Sequence, residues 1–336
     1  MEQIGFIIGE TFLYWSSIIL TLAAVAAILV FLGLYIAKGG NPVAGFLAVP
    51  LSAVAGVYLA RLIHWYCQAD AYESMEKAMT DFTSGGYALM GVFFGCVIVA
   101  CVLRLVRLSK NLPQMLDCMA LAGAAGIAAG RFAVLFNSSN RGQVLESVTW
   151  FPVAQATVDS VTGQTEYRLA TFALQGILAG ILFVSLTVFY LMKRKKGSLK
   201  HGDTCLLFLL VYGASQAVLD SCRYDSLFFR SNGFVSIVQI LGCVSIVLAV
   251  VIFSVRMVMA RKWKWWYLAL WVPIAAALGG AGYMEYHVQR HGDQALFAYS
   301  VMSACLLAVV AITVVIRALA VTAEAKPARP EQPEEN

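Results

Sequence analysis

Charge is scarce in this chain. Asp, Glu, Lys and Arg make up 13% of its 336 residues, against about a quarter in an average soluble domain. That shortage excludes an ordinary soluble globular class. Paired cysteines are missing as well. The eight cysteines (Cys67, Cys96, Cys101, Cys118, Cys205, Cys222, Cys243 and Cys305) contain no Cys-x-x-Cys pair, and most sit in apolar runs. There a thiol packs as a small hydrophobe, so neither a disulfide scaffold nor a cysteine-held metal is expected. Histidine is rare too, with four in all. His287 and His291 are four apart but lack a firm third ligand, so no metal site is expected. Nothing calls for a cofactor. Short alternating strands are absent, which excludes the closed barrel as a spanning solution. No basic stretch is interleaved with base-stacking aromatics in a soluble module, so nucleic acid is not an expected partner. The first apolar run has no basic segment before it and is too long for a leader's apolar region, so it is expected to stay as a membrane helix.

What the chain has in plenty is apolar sequence. Hydrophobic residues account for 60% and the mean hydropathy is +0.76. A helix needs about 20 mostly apolar residues to cross a hydrocarbon core about 30 Å thick. Nine segments meet that length, at approximately 13–37, 43–66, 86–108, 114–136, 169–192, 204–221, 233–258, 265–284 and 295–319. The predicted fold is an all-α integral membrane bundle. The last fifteen residues, 322–336, are rich in Pro and Glu and read as a disordered tail. Basic residues alternate between the two sides, with sixteen in the loops facing one way and seven facing the other. By the positive-inside rule the N-terminus lies outside and the tail in the cytoplasm. The run Trp263-Lys264-Trp265-Trp266-Tyr267 reads as an interface belt.

Ionisable residues at membrane depth are costly and usually mark function. Arg61 and His64 lie late in the second span, Arg131 ends the fourth, and Asp220 and Arg223 end the sixth. All map to the outer half of the bilayer. Three arginines converging on one leaflet point to an anionic ligand, a lipid phosphate, which suits the planar guanidinium fork. The alternative is that each merely reaches for the outer headgroups. Small residues are dense at Gly85, Gly86, Gly91 and Gly95 and at Gly123, Gly126 and Gly130. They allow close helix contact or close approach of a headgroup. The polar stretch 137–168 has the length of a lid or binding loop. Glu285, His287 and His291 are expected in the last outer loop.

At these residues the chain resembles the bacterial prolipoprotein diacylglyceryl transferases, over roughly residues 10–250. The family signature reads Gly-Arg-x-Gly/Ala-Asn-x-x-Asn-Gly-Glu-x-x-Gly. Here Gly130, Arg131, Ala133, Asn137 and Gly142 fit it, while Val134 replaces the first Asn and Ser139 the Glu. Leu59-Ala60-Arg61-Leu62 resembles the family's second-span block. Gly85-Gly86-Tyr87-Ala88-Leu89-Met90-Gly91 resembles its third-span glycine block, with Met90 in place of a His or Tyr. Tyr212-Gly213 through Asp220 to Arg223 resembles the sixth-span block, with Gln216 for an Arg and Asp220 for a Glu. Gln239 matches a Gln of the seventh span, and Arg168 is what remains of another block.

The resemblance implies a seven-span core, residues 1–258, followed by two added C-terminal helices, 259–321. It implies transfer of diacylglycerol from phosphatidylglycerol to the cysteine thiol of a lipoprotein precursor with an N-terminal lipobox. The site would open to the outer leaflet of a bacterial cytoplasmic membrane. Carried over by motif, Arg131, Arg223, Asp220 and His64 are the expected catalytic residues. Arg61, Tyr87, Gly86, Asn137, Gly142, Gln216 and Gln239 are the expected substrate-binding residues. Met90 cannot take a proton, so His64, Tyr87 or Asp220 would have to. The second reading is a non-catalytic paralogue that binds anionic phospholipid or lipoprotein precursors.

Overall fold

A computed structural model describes residues 4–8, 11–82, 85–137, 139–158, 163–195, 200–229, 232–292 and 294–324. The chain opens on a small antiparallel hairpin, β1 (Ile4–Ile8) and β2 (Thr11–Tyr14). Then come α1 (Trp15–Ala37), α2 (Pro42–Cys67), the short α3 (Met75–Thr80), α4 (Leu89–Leu105) and α5 (Leu112–Gly130). A 3₁₀ turn, Arg131–Phe136, continues α5. A second hairpin follows, β3 (Ala154–Val158) with β4 (Thr165–Leu169). The remainder is α6 (Thr171–Lys195), α7 (Asp203–Ser221), a third hairpin of β5 (Phe228–Phe229) and β6 (Asn232–Ser236), α8 (Ile237–Arg261), α9 (Leu268–His291) and α10 (Ala295–Glu324).

Among the described residues, eight helices are long and apolar enough to cross a bilayer. The expected third span is the short one, α4, with 17 residues. The helices begin where capping chemistry is available. Asn41 accepts from the Val43 amide at 3.0 Å just before Pro42, and Asn111 accepts from the Gln114 amide at 3.3 Å. The N-terminus of α7 is capped from another helix. Asp117 of α5 accepts from the Gly202 and Cys205 amides, each at 2.8 Å, where an anion meets the positive end of the helix dipole.

Packing is tightest between α2 and α4. A Cβ placed on Gly91 would lie 2.1 Å from the Ala60 amide nitrogen, and one on Gly95 would lie 2.6 Å from the Gly56 nitrogen. Only glycine allows those backbones to touch, and the touch sets Arg61 directly under the loop that leads into α4. The other glycine row, Gly126 and Gly130, packs on α1, with Cβ positions 3.1 Å and 3.6 Å from Ala27 and Ala23.

Residues 1–244 form one compact unit and 245–336 a second. Within the second, Arg261 ties α8 to α10 through the Leu319 carbonyl (2.7 Å) and the Thr322 hydroxyl (2.6 Å). Trp271 donates to the Ser254 hydroxyl at 3.0 Å. Trp265 stays 79% exposed while Tyr267 is fully buried, so only part of the aromatic run has the exposure of an interface belt. Glu285, His287 and His291 are not in a loop. The eighth expected span, which ends at 284, continues helically to His291, because its polar residues find partners along the helix. Glu285 is buried and accepts from Gln289 at 3.0 Å, and the two imidazoles stack at 4.9 Å. The last helix also runs on to Glu324, and the expected tail residues 325–336 lie outside the described residues.

Candidate functional site

Two polar clusters form in the first unit. The first surrounds Arg61, which is completely buried. Its Nε donates to the Ala78 carbonyl (2.8 Å), Nη1 to the Gly86 carbonyl (3.1 Å) and Nη2 to the Asp81 carbonyl (2.7 Å). Its guanidinium lies 4.7 Å from the centre of the Tyr72 ring and 5.3 Å from that of Tyr87, both in reach of a cation–π attraction. Every nitrogen of this side chain is therefore turned to the loop between α2 and α4. His64, one turn further on, pairs through Nδ1 with the Tyr72 hydroxyl at 2.7 Å. Gly86 has φ +80, and a Cβ there would lie 2.5 Å from the Tyr72 hydroxyl and 2.6 Å from His64 Cε1. A side chain at 86 would therefore break the His64–Tyr72 pair. Tyr87 is exposed and donates to the Phe82 carbonyl at 3.1 Å. Met90, in the position of a motif His or Tyr, is buried.

The second cluster joins the end of α5, the loop that follows it and the end of α7. Asp220 is buried. One carboxylate oxygen accepts from Arg223 Nη1 at 2.8 Å, and the other accepts a short hydrogen bond from the Ser236 hydroxyl. Arg223 turns its remaining nitrogens to Asp225, with Nε at 3.1 Å and Nη2 at 3.0 Å from Oδ1. Asp225 in turn accepts from the Asn140 amide at 2.8 Å. The two segments are also zipped through backbone. Gly142 bridges Arg223, and the Tyr224 amide donates to the Arg141 carbonyl at 2.8 Å. A Cβ on Gly142 would lie 2.5 Å from the Cys222 carbonyl, so this motif glycine marks a close backbone approach.

Gln239 has a local task. Ser236 and Gln239 form a reciprocal capping box at the start of α8. The Gln239 amide donates to Ser236 Oγ (3.1 Å), and the Ser236 amide donates to Gln239 Oε1 (3.0 Å). Since Ser236 also holds Asp220, that cap fixes the acid of the cluster. Gln216 is buried and donates to the Ser215 hydroxyl at 3.5 Å. Asn137 accepts from the Ser139 amide (3.1 Å) and hydroxyl (2.8 Å), closing the turn that leads to Asn140.

The sequence offered Asn140 and Arg141 only as part of the candidate binding loop 137–168, and it missed Gln175 and Asp225. Asn140 has φ +54, a conformation asparagine tolerates. Its carbonyl accepts from the Thr171 hydroxyl at 2.7 Å, and its Nδ2 donates to Gln175 Oε1 at 2.9 Å. Arg141 is buried, donates through Nη2 to the Asn137 carbonyl at 2.5 Å, and stands near Arg168. Burial first, then the Arg168 charge, pushes the Arg141 guanidinium below its ordinary value. Arg168 itself pairs with Glu166. The available signal was the density of Asn, Arg and Asp in two short loops, with no motif to link them.

Arg131 interacts with the buried Tyr212 hydroxyl, and the charges of Asp220 and Arg223 also reach that hydroxyl. A Cβ on Gly176 would lie 3.3 Å from Arg131 Cβ, so Arg131 packs against the first turns of α6. Three buried donors around this loop lack an acceptor: Arg131 Nε, Arg141 Nε and Gln175 Nε2. Neither Arg131 nor Arg141 has an ion-pair partner among the described residues, whereas Arg223 and Arg168 do. Buried donors without acceptors cost free energy unless something arrives to accept. The arrangement is suited to an anion. Of the three arginines expected to converge, Arg131 and Arg223 share this cluster, and Arg61 serves the other one.

A profile of the prolipoprotein diacylglyceryl transferase family matches residues 3–255. Similar proteins include three named phosphatidylglycerol–prolipoprotein diacylglyceryl transferase. That of Bacillus licheniformis is 24% identical over 277 residues, covering 79% of this chain and 96% of its own length. That of Clostridium botulinum is 25% identical over 252 residues, covering 73% and 94%. That of Lactococcus lactis subsp. cremoris is 27% identical over 201 residues, covering 60% and 74%.

Proposed function

The chain belongs to the prolipoprotein diacylglyceryl transferase family, and from that we propose that it moves diacylglycerol from phosphatidylglycerol to the cysteine thiol of a lipoprotein precursor. It is a multi-pass membrane protein of a bacterium. The observation that carries the reading is the pair of guanidiniums of the half-buried Arg131 and the buried Arg141, each with a buried Nε that lacks an acceptor and with no carboxylate partner among the described residues. In the reaction a thiolate attacks the glyceryl methylene carbon and the phosphate ester oxygen leaves. Arg131 holds that phosphate in this reading. Asp220 and Asp225 hold Arg223, which acts as a positioning residue for the Gly142 loop. His64, whose Nδ1 pairs with the Tyr72 hydroxyl, is the proton acceptor in this reading, through Nε2 in the tautomer that carries its proton on Nδ1. Asp220 is unsuited to that task because both its oxygens are bonded.

The test is direct. Purified full-length protein is given phosphatidylglycerol and a peptide carrying a lipobox cysteine, and the mass of the peptide is read. A gain of one diacylglyceryl group with release of glycerol phosphate is expected. Lipid binding without any mass gain would favour the non-catalytic paralogue.

The orientation in this reading is N-terminus outside and C-terminus cytoplasmic. Residues 1–258 are the transferase-like core, and 259–321 are two helices added to it. Reporter fusions in the loop at 193–203 and after residue 324 should both read cytoplasmic. An external reading at the C-terminus would remove the nine-span topology.

A further inference from the structure

The transfer step changes the charge on phosphate. The sulfur–carbon bond forms, the carbon–oxygen bond breaks, and its electron pair stays on the phosphate oxygen. A phosphodiester with one negative charge becomes a monoester with two, and the thiol proton passes to a base and then to water. A single fixed cation balances the starting lipid. A second cation finds its full partner only as the ester bond breaks. An interaction of that kind stabilises the transition state more than the bound substrate.

The cluster holds a side chain suited to the second role. Arg141 is 8% exposed and has no carboxylate partner among the described residues. Among the described residues its guanidinium donates to one acceptor, the Asn137 backbone carbonyl, and its Nε is buried without an acceptor. Arg168 adds like charge beside it. A desolvated guanidinium in that state is under-compensated, and an anion relieves it. The neighbouring Gln175 is fully buried, and its Oε1 is taken by Asn140, which leaves Nε2 as a further donor without an acceptor. The Arg131 side chain packs against Gly176, the next residue of α6. The three donors thus sit on the end of α5, the following loop and the first turns of α6, and Asn140 joins that loop to Gln175.

We propose that Arg141, with Gln175 as auxiliary donor, is the second cation of the phosphate site and meets the charge that develops on the leaving glycerol phosphate. The proposal rests on the transferase reading above. Transfer to a lipobox peptide is measured for wild type, Arg141→Gln and Arg141→Lys in micelles containing phosphatidylglycerol. Arg141→Gln is expected to lower kcat by about ten- to a hundredfold, the effect of losing one charge-assisted hydrogen bond. KM for the lipid should move by less than about twofold, since the interaction is absent from the ground state. Arg141→Lys should recover part of kcat. A raised KM at unchanged kcat would overturn the proposal.

Binding of two soluble probes, glycerol phosphate and glycerophosphoglycerol, separates this idea from turnover. Measured by thermal shift, the wild type should prefer the dianionic monoester, and Arg141→Gln should lose that preference. Equal weakening toward both probes, or no change toward either, would overturn it. If Arg141→Gln does not fold, Arg141→Lys carries the same test, with the preference reduced but retained. A wild type that shows the preference but never transfers diacylglycerol would sink the transferase reading, and with it the leaving-group role, and leave Arg141 as a ligand of the phosphate monoester alone.

Discussion

Arg131→Ala is expected to lower diacylglyceryl transfer by about a hundred- to a thousandfold, the range found when one donor is removed from a site of developing negative charge. The size follows from where Arg131 sits. Its Nε is buried with no acceptor, and its guanidinium lies against Tyr212, not against a carboxylate. No ion pair among the described residues has to break for it to bind phosphate. Arg131→Lys keeps the charge and loses the fork, so it should retain more activity than alanine and still fall well short of wild type. Lipid competition on purified protein checks the assignment. Affinity for phosphatidylglycerol should drop while affinity for a zwitterionic lipid stays almost unchanged. Equal losses for both lipids would mean that Arg131 supports the fold and does not read the phosphate.

Arg61→Ala should act on stability, by about 3–5 kcal/mol, the cost typical of breaking a buried charged network. Three backbone carbonyls, of Ala78, Asp81 and Gly86, would lose their charged donor in a place closed to water. The loop over the end of α2 would then open, and the His64–Tyr72 pair, which Gly86 abuts, would loosen with it. Thermal unfolding in detergent measures the loss. A variant that unfolds like the wild type but no longer binds lipid would show instead that Arg61 is a ligand of the headgroup.

The contrast between these two arginines explains why they looked alike in sequence. Both end an apolar span and follow small residues, and both match family blocks. Arg61 lies one residue from Ala60, where α4 presses backbone against backbone, so the nearest acceptors are loop carbonyls. Arg131 begins the 3₁₀ turn after α5, where its side chain meets the Tyr212 hydroxyl and packs against Gly176. Arg223 shows a third outcome, since Asp220 and Asp225 claim it from both sides. Gln239 shows a fourth. A motif glutamine, expected to meet substrate, completes a capping box, and that task could have been noticed from its spacing to Ser236.

Membrane residence, the all-α class and the approximate spans were determined by the sequence alone. They depend on how long an apolar stretch is relative to a bilayer, and that property is local and additive. The family was legible for a similar reason, because motif order and spacing survive along a single chain. Which buried arginines are neutralised, and which remain available to an anion, was decided only by tertiary structure. Arg223 finds its carboxylates two and three positions away, Arg61 finds its carbonyls 17 to 25 positions on, and the loop that carries Arg141 is held by Asn140 through residues 35 and 85 positions away. Their meeting is set by how the helices pack, because a buried charge takes whatever acceptor the packed backbone brings within about 3 Å.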